Sequence, residues 1–97
     1  MKTITVVATF QAKPGKEIEL KKALLTLPGP TRLEAGCINY DLHVSSTDAG
    51  KFLFYENWTS KELLDAHLQS PHIHALLPRL DDLAVGMPEI VIWEKIG

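Results

Sequence analysis

The chain has 97 residues, 45% hydrophobic and 23% charged, with a formal net charge of −2, the balance of a chain that buries one core in a single domain spanning 1–97. Charges of both signs are spread along it, which excludes the basic stripe of a nucleic-acid binder. Cys37 is the sole cysteine, so a framework of internal disulfides is excluded, and no apolar run approaches the roughly 20 residues of a membrane span. Threonines interrupt the apolar positions of the first ten residues, so no signal-peptide core forms and a cytoplasmic location is expected.

Ile4 to Gln11 is rich in β-branched residues and reads as a strand, with Ile4, Val6, Ala8 and Phe10 on one face and Thr5, Val7, Thr9 and Gln11 on the other. Lys13-Pro14-Gly15-Lys16 breaks it. Ile18, Leu20, Ala23, Leu24 and Leu27 then recur at helical spacing among charged residues. Leu27-Pro28-Gly29-Pro30 is expected to interrupt this helix, with one more turn from Thr31 to Glu34.

Cys37 to Ser45 alternates, placing Ile38, Tyr40, Leu42 and Val44 on one face and Asn39, Asp41 and His43 on the other. A polar loop of hairpin length leads to a returning strand, Lys51 to Trp58. Phe52, Phe54, Glu56 and Trp58 share one of its faces; Leu53, Tyr55 and Asn57 share the other. Both faces are largely apolar, as in a central strand covered on both sides. Thr59 and Glu62 have the spacing of a capping box, opening a helix with Leu63, Leu64, His67 and Leu68 on one stripe. Ser70-Pro71 restarts the chain as an N-cap followed by proline. Ile73, Leu76, Leu77, Leu80 and Leu83 continue the apolar spacing, Pro78 should kink the helix, and Ile90 to Trp93 forms the last strand.

The order β-α-β-β-α-β is the split, ferredoxin-like arrangement: an α+β fold with a four-stranded antiparallel sheet and helices on one face. Val7, Leu53 and Tyr55, or their counterparts on the opposite face, leave apolar side chains on whichever face the helices do not cover. Two sheets packed face to face would cover them, so a homodimer is expected.

Taken in order, Val6-Val7-Ala8-Thr9-Phe10 with Lys13-Pro14-Gly15-Lys16, then Pro30-Thr31-Arg32, Glu34, Gly36-Cys37, Tyr40-Asp41-Leu42-His43, Phe54-Tyr55-Glu56-Asn57-Trp58 and His67-Leu68-Gln69-Ser70-Pro71-His72 resemble the antibiotic biosynthesis monooxygenase (ABM) domain family. The resemblance implies a dimeric α+β barrel. Some members oxidise quinols or polycyclic phenols with O2 and use no flavin, metal or haem. Another type processes a small phosphorylated signalling sugar derivative, and others degrade haem. The haem-degrading branch has a ligating histidine where this chain has Leu77, and an asparagine where it has Ala8, so haem cleavage is not expected. Trp58 matches a tryptophan of the polyketide-oxidising branch, whose asparagine and tyrosine are here Phe54 and Leu64. The expectation is a cofactor-independent monooxygenase acting on a small aromatic or quinol-like substrate with O2. The alternatives are a small-molecule isomerase of the signal-processing type and a non-catalytic ligand-binding protein.

The residues expected to carry that chemistry are His67, Trp58 and Asn57. His67 lies on an apolar stripe, so it should face the sheet, where a neutral imidazole can accept a phenolic proton; a core histidine satisfied by a backbone carbonyl is the plainer reading. Trp58, at a strand end, is either an aromatic wall for a flat substrate or a core residue under the second helix. Tyr40, Phe54, His72, Leu64 and Leu77 are expected to line the substrate pocket, with Tyr40 there and His43 on the dimer face if the apolar side of the second strand meets the helices. No metal or cofactor site is expected: Ser70-Pro71 breaks any common face of His67, His72 and His74, and no carboxylate or thiolate is spaced to join them. Arg32 reads as an ion-pair partner of Glu34 or as an attractant for an anionic substrate, and Cys37 as a small buried residue.

Overall fold

The computed structural model describes residues 3–97. Strands β1 (Ile4–Gln11), β2 (Cys37–Val44), β3 (Lys51–Trp58) and β4 (Glu89–Trp93) form one antiparallel sheet in the order β2-β3-β1-β4. Helices α1 (Glu17–Leu24), α2 (Pro28–Arg32), α3 (Lys61–Leu68) and α4 (Pro71–Leu83) complete the βαββαβ path. This is the α+β, ferredoxin-like fold expected from the sequence. No helix of the described residues is long and apolar enough to cross a membrane.

The central pairing sets which face is covered. Val6 lies opposite Glu56, Ala8 opposite Phe54 and Phe10 opposite Phe52, and all six are buried. Directly opposed residues of an antiparallel pair point to the same side. The Phe52-Phe54-Glu56-Trp58 face therefore meets the helices. Leu20, Ala23 and Leu24 of α1 and Leu76, Leu80 and Leu83 of α4 complete the core on that side.

Several local expectations shift by a residue or a turn. The helix resumes at Pro28 rather than Thr31, because proline is tolerated in a first turn, where its missing N–H has no helical partner anyway. Ile18 stands 70% exposed, outside the stripe that buries Leu20, Ala23 and Leu24. The N-cap of α3 is Ser60, whose Oγ accepts from Leu63 N at 3.3 Å, so Thr59 and Glu62 do not form the capping box. Helix α4 continues through Pro78.

The largest departure is a register shift between Cys37 and Asn39: Cys37 pairs with Trp58 and Asn39 with Asn57, leaving Ile38 as the extra residue of a bulge. Ile38 is thereby moved off the Tyr40 face. It lines a shallow groove of about 600 Å³ on the open side of the sheet, with Thr5, Tyr55, Asn57 and Trp93. Tyr55 (43%) and Trp93 (55%) are exposed there, among a polar ladder. Thr5 Oγ1 donates to Asn57 Oδ1 (2.6 Å), Asn57 Nδ2 to Asn39 Oδ1 (2.8 Å), and Asn39 Nδ2 to Asp41 Oδ2 (3.1 Å). Strand β4 forms one edge of the sheet. Ile90 and Ile92, on the helix side by their pairing with Ala8 and Val6, remain half exposed.

Candidate functional site

The site grows from the way the turn after α2 docks on α3. Leu33 N and Glu34 N close that turn on Pro30 O and Thr31 O. Gly36 follows at φ +84°, the left-handed region that glycine enters without penalty. A Cβ built on Gly36 would lie 2.5 Å from Leu63 Cδ1 and 2.9 Å from Thr59 Oγ1, so the turn presses directly on the start of α3. His67 is one turn beyond Leu63 on the same face of α3. The docking therefore delivers Glu34 to His67.

Glu34 Oε2 lies 2.7 Å from His67 Nδ1 and 2.9 Å from His72 Nε2. A carboxylate oxygen accepts, so each imidazole presents an N–H to it. His72 reaches this point from the first turn of α4, with Ser70 Oγ at 3.2 Å from the same nitrogen. The bond fixes the His67 tautomer. Nδ1 carries the proton, and Nε2, with no hydrogen-bond partner among the described residues, is left with its lone pair. His67 is 1% exposed. Burial lowers its pKa below the usual histidine value, and the Glu34 hydrogen bond only partly offsets this, so the neutral ring is favoured.

His67 is one wall of a cavity of about 150 Å³ between the sheet and α4. Ala8, Phe54 and Tyr40 form the sheet side, Ile73, Leu76, Leu77 and Leu80 the α4 side, and Pro88 and Ile90 the β4 end. The lining residues are apolar except for His67, Glu56 and Tyr40. The rings form a continuous packing: Tyr40 to Phe54 at 4.6 Å between centroids, Tyr40 to His67 at 5.3 Å and Trp58 to His67 at 4.7 Å. Trp58 is fully buried behind His67 and donates from Nε1 to Glu56 Oε1 at 2.9 Å. Burial raises the Glu56 carboxyl from 4.5 to about 7, against the stabilising Trp58 bond. Burial, and next the Glu56 charge, likewise raise the Tyr40 hydroxyl.

Of the residues expected from the sequence, Tyr40, Phe54, Leu77 and His67 reach the cavity wall. His43 is exposed on the open face opposite Leu53. Trp58, Leu64 and His72 are not on the cavity wall: Trp58 and Leu64 are core residues, and His72 holds Glu34 from outside. Asn57 is on the far side of the sheet, bonded to Thr5 and Asn39. Adjacent residues of a strand point to opposite faces, so Asn57 and Trp58 cannot serve one pocket. His67 is satisfied by a carboxylate rather than by a backbone carbonyl. Arg32 pairs with Asp41 at 3.3 Å and donates to Tyr40 O at 3.0 Å, which frees Glu34 for the histidines.

Two residues of the site were not singled out by sequence reasoning. Glu56 carries a local signal, a carboxylate at an inward position between Phe54 and Trp58. Glu34 has none, since the contact spans 33 positions to His67 and 38 to His72. The ligand atoms of Glu34, His67 and His72 lie within 4.8 Å of one another, and His74 is exposed and outside the group. A cation could enter that group only by displacing both N–H protons.

A model of the family described as antibiotic biosynthesis monooxygenase matches residues 3–79. The Synechocystis protein sll1783, uncharacterized by name, is 34% identical over 91 residues, covering 94% of this chain, which spans 62% of that protein's length. The Mycobacterium tuberculosis protein Rv0793, named as a candidate monooxygenase, is 38% identical over 69 residues, 71% of this chain and 67% of its own. Its solved structure superposes with a TM-score of 0.90 at 27% identity, over 98% of this chain and 96% of that one. The crystal structure of PA3566 from Pseudomonas aeruginosa superposes with a TM-score of 0.95 at 29% identity, over 100% and 97%. With its βαββαβ order and a match over most of its length, the chain belongs to the antibiotic biosynthesis monooxygenase family.

Proposed function

We propose that the protein oxidises a small quinol or related phenol with O2, without flavin, metal or haem, in the cavity between sheet and helices. The observation that carries this reading is the 2.7 Å bond between Glu34 Oε2 and His67 Nδ1, which leaves Nε2 as the free base of a ring walling an apolar cavity. A base held by a carboxylate in one tautomer is the arrangement that proton abstraction needs. His67 takes the proton of a ring hydroxyl, and the resulting anion is electron-rich enough to reduce O2. A hydroquinone and one O2 give a ring-hydroxylated quinone and one water. The four electrons reaching oxygen come two from the quinol and two from the C–H bond that becomes C–OH. Tyr40, Phe54 and Leu77 hold the ring, and Trp58 backs His67. Glu34 is a positioning residue, with His72 its second donor.

Oxygen uptake by chelator-treated protein, measured with a panel of methylated hydroquinones, tests this reading. Uptake with one ring-hydroxylated quinone formed per O2 is expected. Product formation that proceeds equally well without oxygen would establish the isomerase alternative, and binding without turnover the ligand-binding one.

The assembly we propose is a homodimer built on the open sheet face, where Ile38, Tyr55 and Trp93 stand exposed beside Val7, Leu53 and Val91. A two-fold axis through that face would cover all six. The lone Cys37 thiol, raised in pKa by burial and then by Glu34, fits a reducing, cytoplasmic compartment.

A further inference from the structure

The base chemistry leaves the Glu56 side chain of the cavity unused. Glu56 is 4% exposed, at the middle of the sheet, and forms part of the cavity wall. Its Oε1 accepts from Trp58 Nε1 at 2.9 Å. Among the described residues no cation and no second donor meets the carboxyl. An unpaired buried charge is costly, so the neutral acid is favoured in the folded chain, in line with its pKa of about 7. A neutral carboxyl carries an O–H donor as well as acceptor oxygens, and among the described residues no acceptor meets this donor.

The separation between this group and the base is fixed by one side chain. Trp58 holds Glu56 through Nε1 and packs its ring against His67 at 4.7 Å. Tyr40 closes the same corner, opposite Glu56 in the strand pairing and 5.3 Å from the His67 ring. A cavity of about 150 Å³ is of the size that takes a single aromatic ring. A ring lying between the two polar groups can meet both only if it carries two oxygens.

We propose that the cavity selects an aromatic ring with two oxygen substituents, the first placed at His67 Nε2 and the second hydrogen-bonded to the Glu56 carboxyl, so that ring diols bind in preference to monophenols. The inference rests on the reading of His67 as the group that meets the first hydroxyl. The Glu56 O–H also suits the carbonyl that the second position becomes on oxidation.

The test is an anaerobic NMR titration near pH 6 that follows the Trp58 indole N–H, with hydroquinone and phenol as matched ligands. The diol is expected to bind wild type about five- to tenfold more tightly, the worth of one neutral hydrogen bond. Glu56→Gln should keep most of the preference, because an amide also donates and accepts. Glu56→Leu should abolish it. Because Glu56→Leu also strips Trp58 of its acceptor and can fail to fold, wild type labelled with [13C]glutamate gives an independent reading: the Glu56 carboxyl resonance should move with the diol and stay put with the monophenol. Equal affinities in wild type, a preference that survives Glu56→Leu, an unmoved carboxyl resonance, or no binding of the diol each overturn the proposal. Because no oxygen is present, the outcome is separable from the oxygenase reading. A diol preference without oxygen uptake keeps this inference alone, and oxygen uptake without diol preference keeps the other alone.

Discussion

Glu56→Gln should change the pH dependence of stability in a defined direction. In the unfolded chain the carboxyl ionises near 4.5; in the folded chain burial holds the proton until about pH 7. Below pH 4.5 both states are protonated and the group contributes no difference. Between 4.5 and 7 the unfolded chain releases a proton that the folded chain keeps, so wild-type stability falls as pH rises, and above 7 the loss is complete. At 1.36 kcal/mol for each tenfold step in acidity, ionising Glu56 in place costs about 3 kcal/mol. Glutamine preserves the acceptor for Trp58 Nε1 and has nothing to ionise. Relative to wild type, Glu56→Gln should therefore gain about 3 kcal/mol between pH 4 and pH 8, the other titrating groups cancelling in the difference. Urea unfolding of both proteins at unit pH steps measures this directly. A difference that is flat with pH would mean that Glu56 ionises as freely folded as unfolded, and would refute the argument that burial holds the acid neutral.

Gly36→Ala places a Cβ 2.5 Å from Leu63 Cδ1 at a backbone φ of +84°, so a loss of at least about 2 kcal/mol is expected in thermal or urea unfolding, with activity falling because the Glu34 turn is displaced. Glu34→Gln removes the charged acceptor of two N–H groups, which should cost about 2 kcal/mol. Since the Glu34 bond raises the His67 pKa, its loss should also move the acid limb of the kcat/KM profile to lower pH. Tyr55→Glu puts a charge at the centre of the open face opposite Val7 and Asp41; sedimentation velocity should show a dimer for wild type and a monomer for the variant, and an unchanged dimer would place the interface elsewhere.

Much of the fold was legible because strand alternation and helix stripes are local. The partition of Lys51–Trp58 into two faces follows from residue order alone, and so does the inward aim of His67 beside Leu64. Which β3 face meets the helices was not legible, because both are apolar and the choice is made by packing against β1, α1 and α4. The bulge at Ile38 was hidden for a similar reason. One inserted residue leaves the alternation of Tyr40, Leu42 and Val44 intact while turning Ile38 to the opposite side. Asn57 and Trp58 cannot share one site, because the two-residue period of a strand sends neighbours to opposite faces. Glu34 was out of reach for a different reason. Its approach to His67 depends on the turn at Gly36 docking on Leu63, a contact between distant segments with no local pattern.

The central claim is that His67 takes the ring proton, and it is tested by comparing kcat/KM for oxygen uptake between wild type and His67→Ala on quinols of graded acidity. For rings protonated at the assay pH the variant should lose about a hundred- to ten-thousandfold, the usual worth of a positioned base. For rings already ionised at that pH the two proteins should differ little, since no proton remains to be taken. A loss of the same size across the whole series would contradict the account and leave His67 a packing residue.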